Sequence, residues 1–236
     1  MKKYAAITLL AATLAGCDNN SAPLSFTPEM ASFSNEFDFD PLRGPVKDFT
    51  QTLFNEKGEV SKRVTGTVST EGCFDTLELH DLEANTGVAL VLDANYYIDA
   101  ETQQRKVKLQ GKCQLAELPS AGVTWDTDDN GFVVAAHGKE MEVKYRYDAD
   151  GYPLGKTTVS GDQHLSVQST PSKDVRKRRD YSEVSMQNDK PMGNVKQSCE
   201  YERHNNPGSC DLTITDDSVK PAVERNYTIK NNIEYY

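Results

Sequence analysis

Between residues 141 and 148 every second side chain is apolar: Met141, Val143, Tyr145 and Tyr147 alternate with Glu142, Lys144, Arg146 and Asp148. A period of two separates the sets onto opposite faces of a strand, which a helix cannot do. Similar alternation runs through Leu77-Leu79, Val88-Leu90-Leu92, Val107-Leu109, Val195-Cys199-Tyr201, Cys210-Leu212-Ile214 and Tyr227-Ile229, and runs of helical period are missing beyond Val46. Between these segments stand Asn55-Glu56-Lys57-Gly58, Glu71-Gly72, Asp128-Asp129-Asn130-Gly131, Asp148-Ala149-Asp150-Gly151, Ser160-Gly161-Asp162 and Asn205-Asn206-Pro207-Gly208. Asn, Asp and Gly tolerate the positive φ of tight hairpins, so each cluster is a place to reverse the chain. The expected fold is all-β: one antiparallel domain over residues 46–236, a meander of hairpins forming a twisted or open barrel-like sheet.

Composition narrows what such a domain does. With 37% hydrophobic residues and a mean hydropathy of -0.64, the chain is too polar for a multi-span membrane protein. A balance of 26 Lys+Arg against 36 Asp+Glu leaves a net charge of -10. That field repels phosphate backbones, so nucleic acid is not an expected partner.

The N-terminus supplies an address. Met1-Lys2-Lys3 is positive, Tyr4 to Leu14 is apolar apart from Thr8 and Thr13, and Leu14-Ala15-Gly16-Cys17 follows at once. The apolar run is about half of the roughly twenty residues a membrane-spanning helix needs, and it reads as a secretory signal peptide. Its ending resembles the lipobox of bacterial lipoproteins. That resemblance implies removal of residues 1–16, with Cys17 becoming the S-diacylglycerol, N-acylated first residue. Three acyl chains at about 0.8 kcal/mol per buried CH₂ make a permanent anchor in membrane lipid. Asp18 and Asn19 resemble the retention signal of Gram-negative lipoproteins, implying the inner membrane, on its periplasmic side. Residues 17–45, with Pro23, Pro28, Pro41 and Pro45, read as a flexible tether, although Phe33, Phe37 and Phe39 suggest that part of it lies across the domain.

Five cysteines are an odd count for an exported protein, and acylation of Cys17 leaves four. Cys199 and Cys210 flank the Asn205–Gly208 turn where they can face each other across a hairpin, so Cys73 pairs with Cys113 by elimination. Chain entropy assigns each bridge about 3 to 4 kcal/mol. Zinc is the weaker alternative, since no Cys-x-x-Cys pair exists and the periplasm is oxidising.

Motifs of catalysis are scarce. Asp126, Asp128 and Asn130, followed by Gly131, match the opening of a calcium loop, but its twelfth position is His137 where a bidentate Glu belongs. A hairpin turn rich in Asp is the better reading, with weak calcium binding as its rival. The four histidines, His80, His137, His164 and His204, hold no metal spacing, and neither a Gly-x-Ser-x-Gly elbow nor a phosphate-cradling glycine loop occurs. No cofactor is expected. Lys173-Asp174-Val175-Arg176-Lys177-Arg178-Arg179 is the one basic block, either a solvated loop or a contact for anionic headgroups or an acidic partner.

Two resemblances remain. Tyr145 to Thr158 resembles a single tyrosine-aspartate repeat of the Rhs kind, but the irregular spacing of Gly58, Gly131 and Gly151 argues against a solenoid. The lipobox, Leu24 to Phe33, Pro41 to Phe49, Cys113 to Ser120 and Lys220 to Arg225 together resemble the uncharacterised YnfC family of bacterial lipoproteins over essentially the whole chain. This implies an anchor and an address, without an activity. The expected function is a non-enzymatic envelope lipoprotein that binds or scaffolds an envelope protein. The alternative is a ligand-binding or hydrolytic domain with a cleft.

Overall fold

In a computed structural model, which describes residues 23–236, the chain forms a closed antiparallel barrel of sixteen strands. The strands are β1 (Val46–Phe54), β2 (Val60–Val68), β3 (Phe74–Asp81), β4 (Thr86–Asp93), β5 (Tyr96–Asp99), β6 (Arg105–Gln110), β7 (Gln114–Leu118) and β8 (Val123–Thr127). They continue as β9 (Val133–His137), β10 (Met141–Tyr147), β11 (Pro153–Ser160), β12 (Gln163–Pro171), β13 (Tyr181–Gln187), β14 (Lys190–Tyr201), β15 (Pro207–Asp216) and β16 (Val223–Tyr235). Each strand pairs with its neighbours in sequence, and β1 closes on β16 from Val46↔Tyr235 to Phe54↔Thr228. Closure leaves no sheet edge unpaired, which resolves the choice between open and closed sheets that alternation alone permits.

The alternation sorts side chains as expected except at Met141, which stands exposed at the start of β10. In β10, Val143 and Tyr145 are buried while Lys144 and Arg146 are exposed. On β16, Lys230, Asn232 and Glu234 are exposed in the same way. A barrel that crosses a bilayer needs an outward apolar band at such positions. The Rhs-like stretch is the β10–β11 hairpin, one unit of the barrel.

The interior holds a surprise. The stretch from Thr27 to Pro45, expected within the tether, is folded into the barrel as a plug. Helix α1 (Pro28–Phe37) begins where the Thr27 hydroxyl accepts from Met30 N–H at 3.2 Å, with proline at the start and Glu29 in the first turn. It ends at Asp38, in the left-handed region at φ 56°. The chain then returns without regular secondary structure to β1. Met30, Phe33 and Phe37 face the wall formed by β1 to β10, where the Phe33 ring centroid lies 4.9 Å from Phe74 and 5.5 Å from Tyr97. Gly66 leaves room for the Phe49 ring, which a Cβ there would meet at 2.5 Å.

Antiparallel order fixes which turns share an end. The plug enters at the end that carries turns 69–73, 111–113, 148–152, 172–180 and 202–206; turns 55–59, 82–85, 161–162, 188–189 and 217–222 form the far end. Cys73 is bonded to Cys113, joining two plug-end turns inside the core, and Cys199 to Cys210, joining β14 to β15.

Candidate functional site

The two faces of the plug are unlike. Opposite the phenylalanines, Ser34, Asn35, Asp38 and Asp40 border a cavity of about 340 Å³ between the plug and the wall. Charged side chains reach it from four strands or strand ends: Lys62 on β2, Lys156 on β11, Arg179 just before β13, and Glu183 on β13. Leu53, Val167, Leu212 and Ile229 supply an apolar lining. Leu212 and Ile229 also belong to a cluster with Cys210 that extends through Val195, Ile214 and Tyr227.

The return arm of the plug is clamped. Gln51 pairs with the Asp40 peptide in both senses: its Oε1 accepts from Asp40 N–H at 2.9 Å and its Nε2 donates to Asp40 C=O at 2.7 Å. Asn206 does the same for Arg43, at 2.8 and 2.9 Å. These amides act as short substitutes for a strand partner, satisfying backbone groups that would otherwise be buried alone.

Arg179 anchors the charged side. Its guanidinium pairs with Asp40, donates to the Tyr152 hydroxyl at 3.2 Å and lies 4.9 Å from the Tyr181 ring centroid. Gln197 Nε2 reaches Asp40 Oδ2 at 3.4 Å and the Arg179 carbonyl at 3.2 Å. With side-chain exposures of 9% and 13%, Arg179 and Asp40 are structural partners rather than open ligand groups.

Asp38 is different. Its side chain is 95% exposed where it borders the cavity. Crowding by the surrounding walls by itself raises its pKa, yet the Lys62 ammonium at 3.0 Å, with Lys156 and Arg179 beyond it, leaves the net direction downward. Glu183 goes the other way: burial and then the Asp38 charge push its carboxyl up, against the opposing pull of Arg179 and Lys156. The Lys156 ammonium donates to the Asn35 carbonyl at 3.3 Å. Nearby, Tyr145 donates to Glu36, and burial followed by the Glu36 charge drives its hydroxyl pKa upward.

The sequence-derived sites fare differently. Cys17, Asp18 and Asn19 lie outside the described residues, as does the signal peptide. Asp126, Asp128 and Asn130 do not converge. Asp126 reaches across from β8 to His137 on β9, 2.9 Å away, while Asp128 Oδ1 accepts from Asn130 N–H and Phe132 N–H, both at 2.9 Å, to build the turn. Among the described residues no three His, Cys, Asp or Glu side chains gather as a metal site. The basic block is divided. Arg178 is drawn inward to Asp148 and Asp150, each at 3.2 Å, and Arg179 enters the lumen, whereas Lys173 and Lys177 stay exposed. Asp38, Asp40, Lys62, Lys156 and Glu183 escape sequence reading, because only barrel closure brings their segments together.

The family described as "Uncharacterised protein family (UPF0257)" matches residues 1–236. A relative from Salmonella dublin, named "UPF0257 lipoprotein YnfC", is 70% identical over 236 residues, covering 100% of both chains. One of the same name from Salmonella typhi is 69% identical with the same coverage. Among solved structures, a porin-like protein from Bacteroides uniformis aligns with a TM-score of 0.43 at 9% identity, over 80% of this chain and 97% of that one. The MucA/MucB complex of Pseudomonas aeruginosa aligns with a TM-score of 0.23 at 12% identity, over 86% and 92%.

Proposed function

This chain belongs to the UPF0257 family of membrane-anchored envelope lipoproteins, and from the cavity in its barrel we propose that the lumen binds a small amphipathic molecule. The division of the lumen carries this reading: Asp38, Lys156 and Glu183 border the same cavity as Leu53, Val167, Leu212 and Ile229. A polar head and an apolar body each find matching groups there. A volume of about 340 Å³ is in the range of small-ligand sites. The cavity favours ligand binding over scaffolding by a bare sheet. Acylation of Cys17 would hold the barrel at the membrane, and Asp18 with Asn19 would retain it in the inner membrane, facing the periplasm.

The test is extraction of the mature lipidated protein, purified in nanodiscs, followed by mass spectrometry of released small molecules. Wild-type protein should release an amphiphile in stoichiometric amount, and a folded Val167→Trp variant, its lumen filled, should release little. Equal release from the two proteins would refute the lumen as the site.

A second reading, acid–base chemistry, is favoured by two carboxyl groups, Asp38 and Glu183, bordering the same cavity with Lys156 and displaced in opposite directions, the arrangement that separates a base from an acid. It requires turnover of the extracted molecule to vanish in Glu183→Gln while binding persists. Unchanged turnover in that variant, or none in wild type, leaves binding alone.

A further inference from the structure

The plug end carries a second feature, separate from the lumen. Leu24 is 62% exposed and Val175 38% exposed, although both are apolar. They lie around the same arginine. A Cβ on Gly44 would stand 3.7 Å from Leu24 Cδ1, and the neighbouring Arg43 donates from Nη1 to the Val175 carbonyl at 2.8 Å while stacking 4.3 Å from the Phe26 centroid. Lys173 and Lys177 flank Val175 and are exposed. The nearby acids Asp148 and Asp150 are answered by Arg178, and Asp174 is spent accepting from Arg176 N–H to start the short 3₁₀ turn Val175–Lys177.

We infer that this end of the barrel docks on the bilayer surface, with Leu24 and Val175 entering the headgroup layer and Lys173 and Lys177 facing anionic phospholipid. The connection to the lipid argues for that occupant. Phe26 N–H donates to the Asp150 carbonyl at 2.8 Å, so the chain reaches the barrel at the plug end. Only residues 18–22 separate Cys17 from the described chain. Fully stretched, six peptide steps reach at most about 20 Å. The wall beside this entry is low, since β10 has 7 residues and β11 has 8, about 25 Å of chain, and the opposite wall is taller, with 12 residues in β14 and 13 in β16, about 40 Å of chain. The connection leaves from the plug end and is too short to pass the tall wall, so the plug end is the one held nearest the membrane and the far end is turned toward the aqueous side. Exposed apolar residues beside lysines are the side-chain pairing that interfacial binding uses, and since Val219 and Val223 beside Lys220 repeat it at the far end, it is the connection to the lipid that selects the plug end.

The test uses the full mature chain, lipidated at Cys17 and reconstituted in phosphatidylethanolamine vesicles with and without phosphatidylglycerol. Two variants each add one tryptophan to the buried native Trp125: Val175→Trp at the plug end and Leu82→Trp at the far end. Emission from position 175 should shift to shorter wavelength, be quenched by brominated acyl chains, and do so more strongly with phosphatidylglycerol. The added Lys173→Glu and Lys177→Glu changes should remove that dependence on lipid charge. Position 82 should stay water-like throughout. No quenching at 175, or equal quenching at both positions, overturns the inference. A shift at 175 that disappears when the protein is diluted at a fixed lipid concentration overturns it as well, because a second copy of the chain would then be covering the patch.

Discussion

The wall from β1 to β10 and the wall from β11 to β16 enclose the same plug and treat it differently. The first packs against Phe33, Phe37 and Phe39 with Phe49, Phe74, Leu77 and Tyr97, leaving α1 embedded in a continuous apolar core. The second presents Lys156, Arg179, Glu183 and Gln197 to the plug's polar side, and with Leu53 and Lys62 from β1 and β2 at its border it leaves a cavity there. One ten-residue helix thus has a face packed into the core and a face whose end borders the cavity. Stability falls mainly to the β3–β10 side and the cavity mainly to the β11–β16 side, so substitutions on the two should separate them.

The largest effect should come from Phe33→Ala on the packed side. Phe33 is 1% exposed, and removing such a ring costs about 3–5 kcal/mol in lost transfer and cavity terms. Urea denaturation should show a lower midpoint with an unchanged slope. If the loss is under about 1 kcal/mol, the packed side is not the structural side. On the polar side the strongest response should follow Arg179→Leu, about 3 kcal/mol, because it strands the Asp40 carboxylate where only 13% of its side chain is exposed. Adding Asp40→Leu should recover much of that. A double-mutant cycle with no coupling would show that the pair does not hold the return arm.

How much of this was legible in the sequence follows from what each signal depends on. Hairpins and strand faces depend on neighbours within a few residues, so Val143 and Tyr145 can be placed inward from alternation alone. The plug depends on its surroundings. Glu29, Ser32 and Ser34 are buried beside Met30 and Phe33, because both faces of α1 are enclosed, and so no clean apolar stripe marks the helix. Its start was readable in Thr27-Pro28-Glu29, an N-cap, a first-turn proline and an acid in order. The lumen charges were not. Asp38 and Glu183 are 145 residues apart, and they share a cavity only because the β13 register and the return of the plug carry them to one place.

A smaller effect, with opposite signs, should separate Asp38 from Glu183. Asp38 titrates lower in the folded chain than in the unfolded one, so its contribution is present above the unfolded value of about 3.9 and disappears as pH falls through the folded value. Glu183 titrates higher when folded, so the fold weakens as pH rises from about 4.3 through its folded value. In thermal melts from pH 3 to 8, Asp38→Asn should therefore lose stability relative to wild type as pH rises, and Glu183→Gln should gain it. Parallel pH profiles for the two variants would contradict a shared field around Lys62, Lys156 and Arg179.

The smallest contrast is between two turns of the same design, one within the first wall and one where the two walls meet. Asp128 Oδ1 accepts from Asn130 N–H and Phe132 N–H, and Asp148 Oδ1 from Asp150 N–H and Tyr152 N–H, all at 2.9 Å. Only Asp148 does more than shape its turn, since its second oxygen lies 3.2 Å from Arg178 Nη2 and ties the β10–β11 turn to the loop before β13. Replacing Asp128 by Ala should cost about 1 kcal/mol, the net worth of a local hydrogen-bonded turn. Replacing Asp148 should cost about 1 kcal/mol more, because Arg178, 18% exposed, loses a partner while its neighbour Asp150 remains to compensate. The added cost should vanish in an Arg178→Gln background, whereas the cost of Asp128→Ala should not change there. If Asp148→Ala costs no more than Asp128→Ala in the native background, Arg178 is held by Asp150 alone, and the polar wall owes nothing to this turn beyond its geometry.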